Sequence, residues 1–82
     1  MNRQEIFAHL AESLADILDM DTVTLDDGTT ADDLEGWDSI AHIKLIIALE
    51  GELGIRFTPE EAAAPENVGK FVDLIEAKLA AK

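Results

Sequence analysis

The segment "EGWDSIAHIKLIIALEGELG", residues 35–54, places one serine between an acidic loop and a strongly apolar stretch. At about 100° of rotation per residue, its apolar side chains fall on two opposite sides of a helix. The wider side consists of Leu45, Ile46, Leu49 and Leu53, and the narrower side consists of Ile40, Ile43 and Ile47. The pattern predicts a helix that begins at Asp38 or Ser39 and ends at Leu53. Gly54 then provides the left-handed residue that commonly follows a helix.

A helix at the surface of a small bundle buries only one of these two sides. Each large side chain buried in a core contributes about 1.5–3 kcal/mol, so the wider side is expected to face the core. The stripe formed by Ile40, Ile43 and Ile47, with Lys44 at its border, is then exposed, and such a stripe usually marks an interaction surface. The alternative is that the acidic loop folds over this stripe and makes it part of the core.

The remainder of the chain predicts three further helices. Apolar residues at helical spacing predict a first helix over residues 3–18 and a last helix that opens near Asn67. The segment "TPEE", residues 58–61, combines a threonine N-cap, a proline in the first helical position and a glutamate that closes a capping box. Pro65 ends this helix early. The expected fold is therefore all-α, a four-helix bundle of three longer helices and one short third helix.

Residues 19–38 break every periodicity and predict a long first loop, rich in Asp, Glu and Thr. Four apolar residues are expected to anchor this loop on the bundle: Val23, Leu25, Leu34 and Trp37. A chain of 82 residues leaves no room for a second domain, so residues 1–82 are expected to form one.

The charge of the chain restricts its partners. Eighteen acidic and 6 basic residues give a net charge of −12, and no Lys or Arg lies between Arg3 and Lys44. We expect a monomer that repels nucleic acid and anionic membranes and attracts basic protein surfaces.

The absence of cysteine excludes a thiolate metal site and a thiol nucleophile. No targeting segment or membrane-spanning run is visible, which predicts a cytoplasmic protein without membrane insertion.

Ser39 and Asp38 both stand where the second helix is predicted to start. Both residue types cap helices, and a cap contributes about 1 kcal/mol, so capping is the structural interpretation of either residue. The functional interpretation is a covalent attachment site. Unpaired N–H groups and the positive end of the helix dipole stabilise a phosphate on the serine oxygen by roughly 0.3–1 kcal/mol. The exposed stripe would let an enzyme dock beside it.

Catalytic and metal sites are not predicted. A serine hydrolase elbow needs glycine where Ala41 stands. His42 is expected to be half-buried on the core side of its helix, and His9 is expected to be an ordinary helix-surface residue. A calcium loop starting at residue 19 fails because Val23 and Thr24 occupy positions that require a ligand and a glycine.

The residues "GWDSI", the two-sided helix after them and the short Pro-started third helix together resemble the acyl carrier protein family. The resemblance implies that Ser39 carries 4′-phosphopantetheine, which a phosphopantetheinyl transferase installs from coenzyme A. The thiol of this arm would hold an acyl group as a thioester. The resemblance also implies that Asp38 contributes to the cofactor site. Partner enzymes would dock on Ile40, Ile43, Lys44 and Ile47.

The sequence differs from carriers of fatty-acid synthesis at Ile40, where those carriers usually have leucine, and at Ala41 and Lys44, where they commonly have acids. This favours a specialised bacterial carrier, not itself an enzyme, for fatty-acid, lipid or polyketide-type synthesis. Its expected partners are acyl-loading and acyl-transferring enzymes with basic docking patches. Two alternatives remain open: a peptidyl or aminoacyl carrier, and an unmodified helical adaptor that keeps Ser39 as a cap.

Overall fold

The computed structural model describes residues 1–82 as four α-helices joined by loops, without β-strands. The helices are α1 Arg3–Leu18, α2 Ser39–Leu53, α3 Pro59–Ala63 and α4 Val68–Ala80. This confirms the predicted all-α bundle with its short third helix and long first loop. The loop also contains one turn of 3-10 helix, Ala31–Asp33, which was not predicted. No helix is both long and apolar enough to cross a membrane.

The helix ends follow the local side-chain chemistry. The Asn2 side chain accepts the Glu5 N–H at 2.9 Å, and the Glu5 carboxylate accepts the Asn2 N–H at 2.9 Å. Thr58 and Glu61 form the same reciprocal capping box at the start of α3, as predicted. Gly54 ends α2 in the left-handed conformation, with φ of 67°. These residues satisfy backbone groups that a helix leaves unpaired at its ends.

One cluster of buried apolar side chains joins α1, α2 and α4. From α2 it includes Leu45, Leu49 and Leu53, which are at most 5% exposed. Ile46 is half-buried against the same cluster. The helices α1 and α4 supply Ile6, Leu10, Leu14, Val68, Phe71, Val72 and Ile75. The wider apolar side of α2 therefore faces the core, as predicted.

The predicted anchors of the long loop are confirmed. Val23, Leu25 and Leu34 are half-buried and pack against the core cluster, while Trp37 belongs to the cluster itself. The loop covers the core and leaves the opposite side of α2 free. Its composition is polar, but its apolar residues are spaced so that the chain stays on the bundle.

The backbone of the loop also satisfies the start of α4. Thr29 O accepts the Val68 N–H at 2.7 Å, and Asp27 O accepts the Gly69 N–H at 3.0 Å. Gly69 permits this approach, because a Cβ at this position would lie 2.8 Å from Asp27 O. Loop carbonyls thus serve as acceptors for N–H groups that a helix start leaves unpaired.

Arg3 joins α1 to the loop and to α4. Its guanidinium donates to the carboxylates of Asp27 and Asp73, both at 2.7 Å, and also to Glu76. These hydrogen bonds, that to Asp27 first, raise the pKa of Arg3 above its ordinary value. One cation therefore compensates three converging carboxylates in a chain with a large negative charge.

The short helix α3 is held by side chains from its neighbours. Lys78 Nζ on α4 donates to Glu61 Oε1 at 2.9 Å, and Glu50 Oε2 on α2 accepts the Phe57 N–H at 2.9 Å. The hydrogen bond from Lys78, followed by that from the Thr58 backbone, lowers the pKa of Glu61. A five-residue helix gains little from its own backbone bonds. These contacts therefore fix its position.

Candidate functional site

Ser39 is the first residue of α2, and its side chain is exposed. Asp38 precedes it as the N-cap, with Oδ1 accepting the Ala41 N–H at 2.9 Å. Capping as the interpretation of Ser39 is therefore wrong, because the backbone of Asp38 is extended and its side chain already occupies that role. The Ser39 hydroxyl has no hydrogen-bond partner in the chain and is free for chemistry.

The N-terminus of α2 has the donors that a phosphate ester needs. The Ala41 and His42 N–H groups bind Asp38, whereas those of Ser39 and Ile40 have no acceptor within the chain. The first turn of α2 also contains no acidic residue. Free amides and the positive end of the helix dipole favour an anion at this position. The site therefore fits a phosphate attached to the serine oxygen.

The narrow apolar side of α2 is exposed. Ile40, Ile43 and Ile47 are 66%, 59% and 63% exposed, so the alternative that the loop covers this stripe is wrong. Lys44 lies at the same side, is exposed and forms no ion pair. The solvent-facing surface next to Ser39 is thus apolar with one free cation, in a chain whose net charge is −12.

An open cleft of about 610 Å³ begins at Ser39. Side chains from the loop, α2, α3 and α4 line it, among them Trp37, Ser39, His42, Ile43, Ala62 and Phe71. The cleft was not predicted, because it arises where four segments distant in sequence come together. Its size is typical of small-molecule sites.

The two histidines serve structural roles. His42 is half-buried, as predicted, with Nδ1 3.2 Å from Trp37 Nε1 and Nε2 2.8 Å from Ala62 O. Because both ring nitrogens are engaged, His42 is not placed as a base for Ser39. The expectation for His9 was incomplete: this side chain is half-buried, and its Nδ1 lies 3.5 Å from Glu52 on α2.

A small helical bundle with a free serine at a helix start, an exposed apolar face and an adjoining cleft is the arrangement expected of a covalent carrier protein. The comparisons specify the family. The family model for the phosphopantetheine attachment site matches residues 8–75. The acyl carrier protein of Thermosynechococcus vestitus is 35% identical over 82 residues, covering 99% of this chain and 100% of the relative. That of Petrotoga mobilis is 37% identical over 81 residues, covering 96% and 93%.

The solution structure of the holo acyl carrier protein from Geobacter metallireducens has the same fold, with a TM-score of 0.82 and 35% identity. The match covers 92% of this chain and 86% of that one. The chain belongs to the acyl carrier protein family. It is a non-catalytic carrier of acyl groups, with 4′-phosphopantetheine as its cofactor. It works with a phosphopantetheinyl transferase and partner enzymes.

Proposed function

We propose that Ser39 is the residue that carries the 4′-phosphopantetheine arm. The chain contains two serines, and Ser13 is only 6% exposed within α1. Ser39 is exposed, has a free hydroxyl and stands beside two unpaired backbone N–H groups. The exposure of Ser39 at the start of α2 is the observation that carries this proposal.

The loading chemistry balances at this residue. The Ser39 oxygen bonds to the phosphorus that bears pantetheine, and the pyrophosphate bond of coenzyme A breaks. Adenosine 3′,5′-bisphosphate leaves, and the hydroxyl proton passes to the transferase. The arm then supplies a thiol, which the cysteine-free chain lacks, and this thiol carries the acyl group as a thioester.

We assign Asp38 a second role at the same site. Its Oδ1 accepts the Ala41 N–H and holds the first turn of α2, while its Oδ2 has no hydrogen-bond partner within the chain. Asp38 is also exposed. This free oxygen is available to the transferase and to the metal ion that accompanies coenzyme A in the transfer reaction.

Partner enzymes dock on Ile40, Ile43, Lys44 and Ile47 in this proposal. The three isoleucines present an apolar surface beside Ser39, and contact surfaces of this kind contribute most of their binding free energy through a few buried side chains. The negative charge over the remaining surface favours partners with basic patches. The same charge opposes self-association, which supports a monomer. A cytoplasmic location stays a prediction, as does one carrier domain over residues 1–82.

Acyl groups of fatty-acid, lipid or polyketide-type synthesis are the proposed cargo. The curated relatives are named acyl carrier proteins, which favours this over a peptidyl or aminoacyl carrier. The match to a phosphopantetheine attachment site likewise favours a modified carrier over an unmodified adaptor.

Intact-mass spectrometry after incubation with coenzyme A and a broad-specificity phosphopantetheinyl transferase tests the attachment. The wild type should gain one phosphopantetheine unit, and Ser39→Ala should gain none while keeping its helical circular dichroism. Ser13→Ala is the matched control and should load like the wild type. A Ser39→Ala protein that still gains the unit would refute the assignment.

A further inference from the structure

Lys44 is the one charged side chain on the exposed side of α2. The helix contains two acidic side chains, and both are engaged with other segments. Glu50 Oε2 accepts the Phe57 N–H at 2.9 Å, and Glu52 Oε2 lies 3.5 Å from His9 Nδ1 on α1. Lys44 is exposed and forms no ion pair. The charge beside the isoleucine stripe is therefore positive, although the net charge of the chain is −12.

The helical neighbours of Lys44 explain why its charge has no partner. A side chain on a helix pairs with residues three or four positions away. For Lys44 these positions hold Ile40, Ala41, Ile47 and Ala48. All four are apolar, so no carboxylate of α2 is placed to reach the ammonium group. Water alone solvates this charge in the free protein.

A partner that covers the stripe also removes water from Lys44. Ile40 and Ile47 lie one helical turn on either side of Lys44, so a surface that packs on both isoleucines reaches the lysine between them. An ammonium group that loses water without gaining a partner is costly. A carboxylate restores the lost interactions through a charge-assisted hydrogen bond, whereas a lysine or arginine at the same place would repel Lys44.

We propose that Lys44 determines partner specificity, and that the docking surface of the partner carries an aspartate or glutamate opposite it. The inference rests on the proposed docking at the stripe. An apolar pocket on the partner accepts the isoleucines, and its carboxylate pairs with Lys44. Basic groups of the partner lie at the edge of the contact, where they face the acidic loop. Lys44 thus disfavours enzymes whose carrier-binding surface is basic throughout.

A second copy of this chain does not fit that description. In a two-fold dimer formed through the stripe, each stripe packs against its own equivalent. The equivalent surface offers three isoleucines and another lysine, and no carboxylate. The net charge of −12 further opposes the approach of two copies. The charge pattern therefore favours a different protein as the occupant.

The first test measures whether the charge at position 44 affects recognition by a basic surface. A phosphopantetheinyl transferase with a basic carrier-binding surface loads the wild type, Lys44→Glu and Lys70→Glu from coenzyme A at low salt. Lys70→Glu makes the same change in net charge at an exposed position of α4, outside the stripe. The kcat/KM of Lys44→Glu should exceed that of Lys70→Glu at least about fivefold, because only position 44 lies in the contact. Equal values, or a lower value for Lys44→Glu, would overturn the proposal.

The second test identifies the residue opposite Lys44 in the protein's own partner. The photo-reactive residue p-benzoylphenylalanine replaces Ile47, the carrier is irradiated in an extract of its host, and mass spectrometry locates the cross-linked segment of the partner. Acidic residues of that segment are changed singly to lysine in the purified partner. Acyl transfer should fall at least about tenfold with Lys44→Glu alone and with one partner variant alone. The two changes together should restore it to within about threefold of the wild-type pair.

Three outcomes of the second test would overturn the proposal. They are a cross-linked segment without an acidic residue, a set of combined variants in which none recovers, and a cross-link that joins two copies of the chain. If Lys44→Glu does not fold, Lys44→Gln removes the charge without adding another. Its transfer rate should lie below that of the wild type with the partner's carboxylate intact, and an unchanged rate would equally overturn the proposal.

The variants also separate this inference from the proposals on which it rests. Transfer that is slowed by Ile47→Glu but not by Lys44→Glu would show that the stripe docks, and only the inference about Lys44 fails. Transfer that is slowed by neither variant refutes the docking surface itself. A wild type that gains no mass refutes the attachment at Ser39. The cross-link needs no arm and still identifies the side chain opposite Lys44.

Discussion

Asp38 Oδ1 lies 2.9 Å from the Ala41 nitrogen and caps α2, so the neighbouring Ser39 does not act as a cap. Two neighbouring polar residues thus divide the work at one helix end. If Ser39 carries the arm as proposed, helix stability depends on one residue and loading on the other, and the two can be measured independently.

Substitutions at Asp38 should separate these properties. Asp38→Asn keeps a good N-cap, so its free energy of unfolding should change by less than about 0.5 kcal/mol. Its loading rate should fall at least about tenfold, because the amide is neutral and binds a metal ion more weakly than a carboxylate. Asp38→Ala should load as slowly as Asp38→Asn, and its free energy of unfolding should also fall by about 1 kcal/mol because the N-cap is lost. Urea unfolding and the time course of mass gain measure the two effects. Loading of Asp38→Asn at the wild-type rate would contradict the second role.

Acid should weaken the link between α3 and α4. Lys78 lowers the pKa of Glu61, so this pair contributes stability above the ordinary glutamate pKa and loses it as the pH falls through the lowered value. Between about pH 5 and pH 3, Lys78→Met should therefore lose less stability than the wild type. Lys70→Met removes a cation of α4 that forms no ion pair and should follow the wild-type pH dependence. If the free energy of unfolding fell with pH equally in all three proteins, the Lys78–Glu61 pair would make no contribution to stability.

The exposed stripe on α2 should matter for recognition and little for folding. Ile43→Glu and Ile47→Glu should change the free energy of unfolding by less than about 0.5–1 kcal/mol, since both side chains are mostly in solvent. Their kcat/KM with the transferase should fall at least about tenfold. Leu49→Ala, on the buried side of the same helix, should instead cost about 2–5 kcal/mol. If either glutamate variant no longer unfolded cooperatively, the stripe would have to be part of the core.

Two helical glycines should respond in opposite directions to alanine. Gly51 in α2 has open space around an added Cβ, so Gly51→Ala should raise stability by about 0.5–1 kcal/mol. At Gly69 the added Cβ would lie 2.8 Å from Asp27 O, so Gly69→Ala should lower stability despite the better helix propensity of alanine. Urea unfolding of the two variants gives both signs. If Gly69→Ala were more stable than the wild type, the loop at Asp27 would be able to move away from the added Cβ without loss of stability.

The helices and the position of Ser39 at the start of α2 could be predicted because their signals are local. Asn67, Thr58 and Gly54 mark helix ends through neighbouring backbone groups, and the two sides of α2 follow from helical spacing alone. The choice between Asp38 and Ser39 as the cap could not be predicted, since either side chain can reach the same N–H. It depends on which residue has extended backbone.

The contacts of His42 and the ion pairs of Arg3 had no usable signal in the sequence. Arg3 and Asp73 are 70 positions apart, and their contact exists only once α1 and α4 have packed. The same holds for His42 and Ala62, whose approach depends on where the short helix α3 settles. Periodicity indicates which side of a helix is buried, but it does not identify the side chain that lies opposite.

The hydrogen bonds that Thr29 O and Asp27 O accept from the first N–H groups of α4 should protect the long loop from proteolysis. Segments rich in glycine, aspartate and threonine are normally the first to be cut by proteases. A protease can bind the loop around Asp27 and Thr29 only after these hydrogen bonds to α4 have broken. Limited proteolysis should therefore cut this part of the loop only when the bundle unfolds.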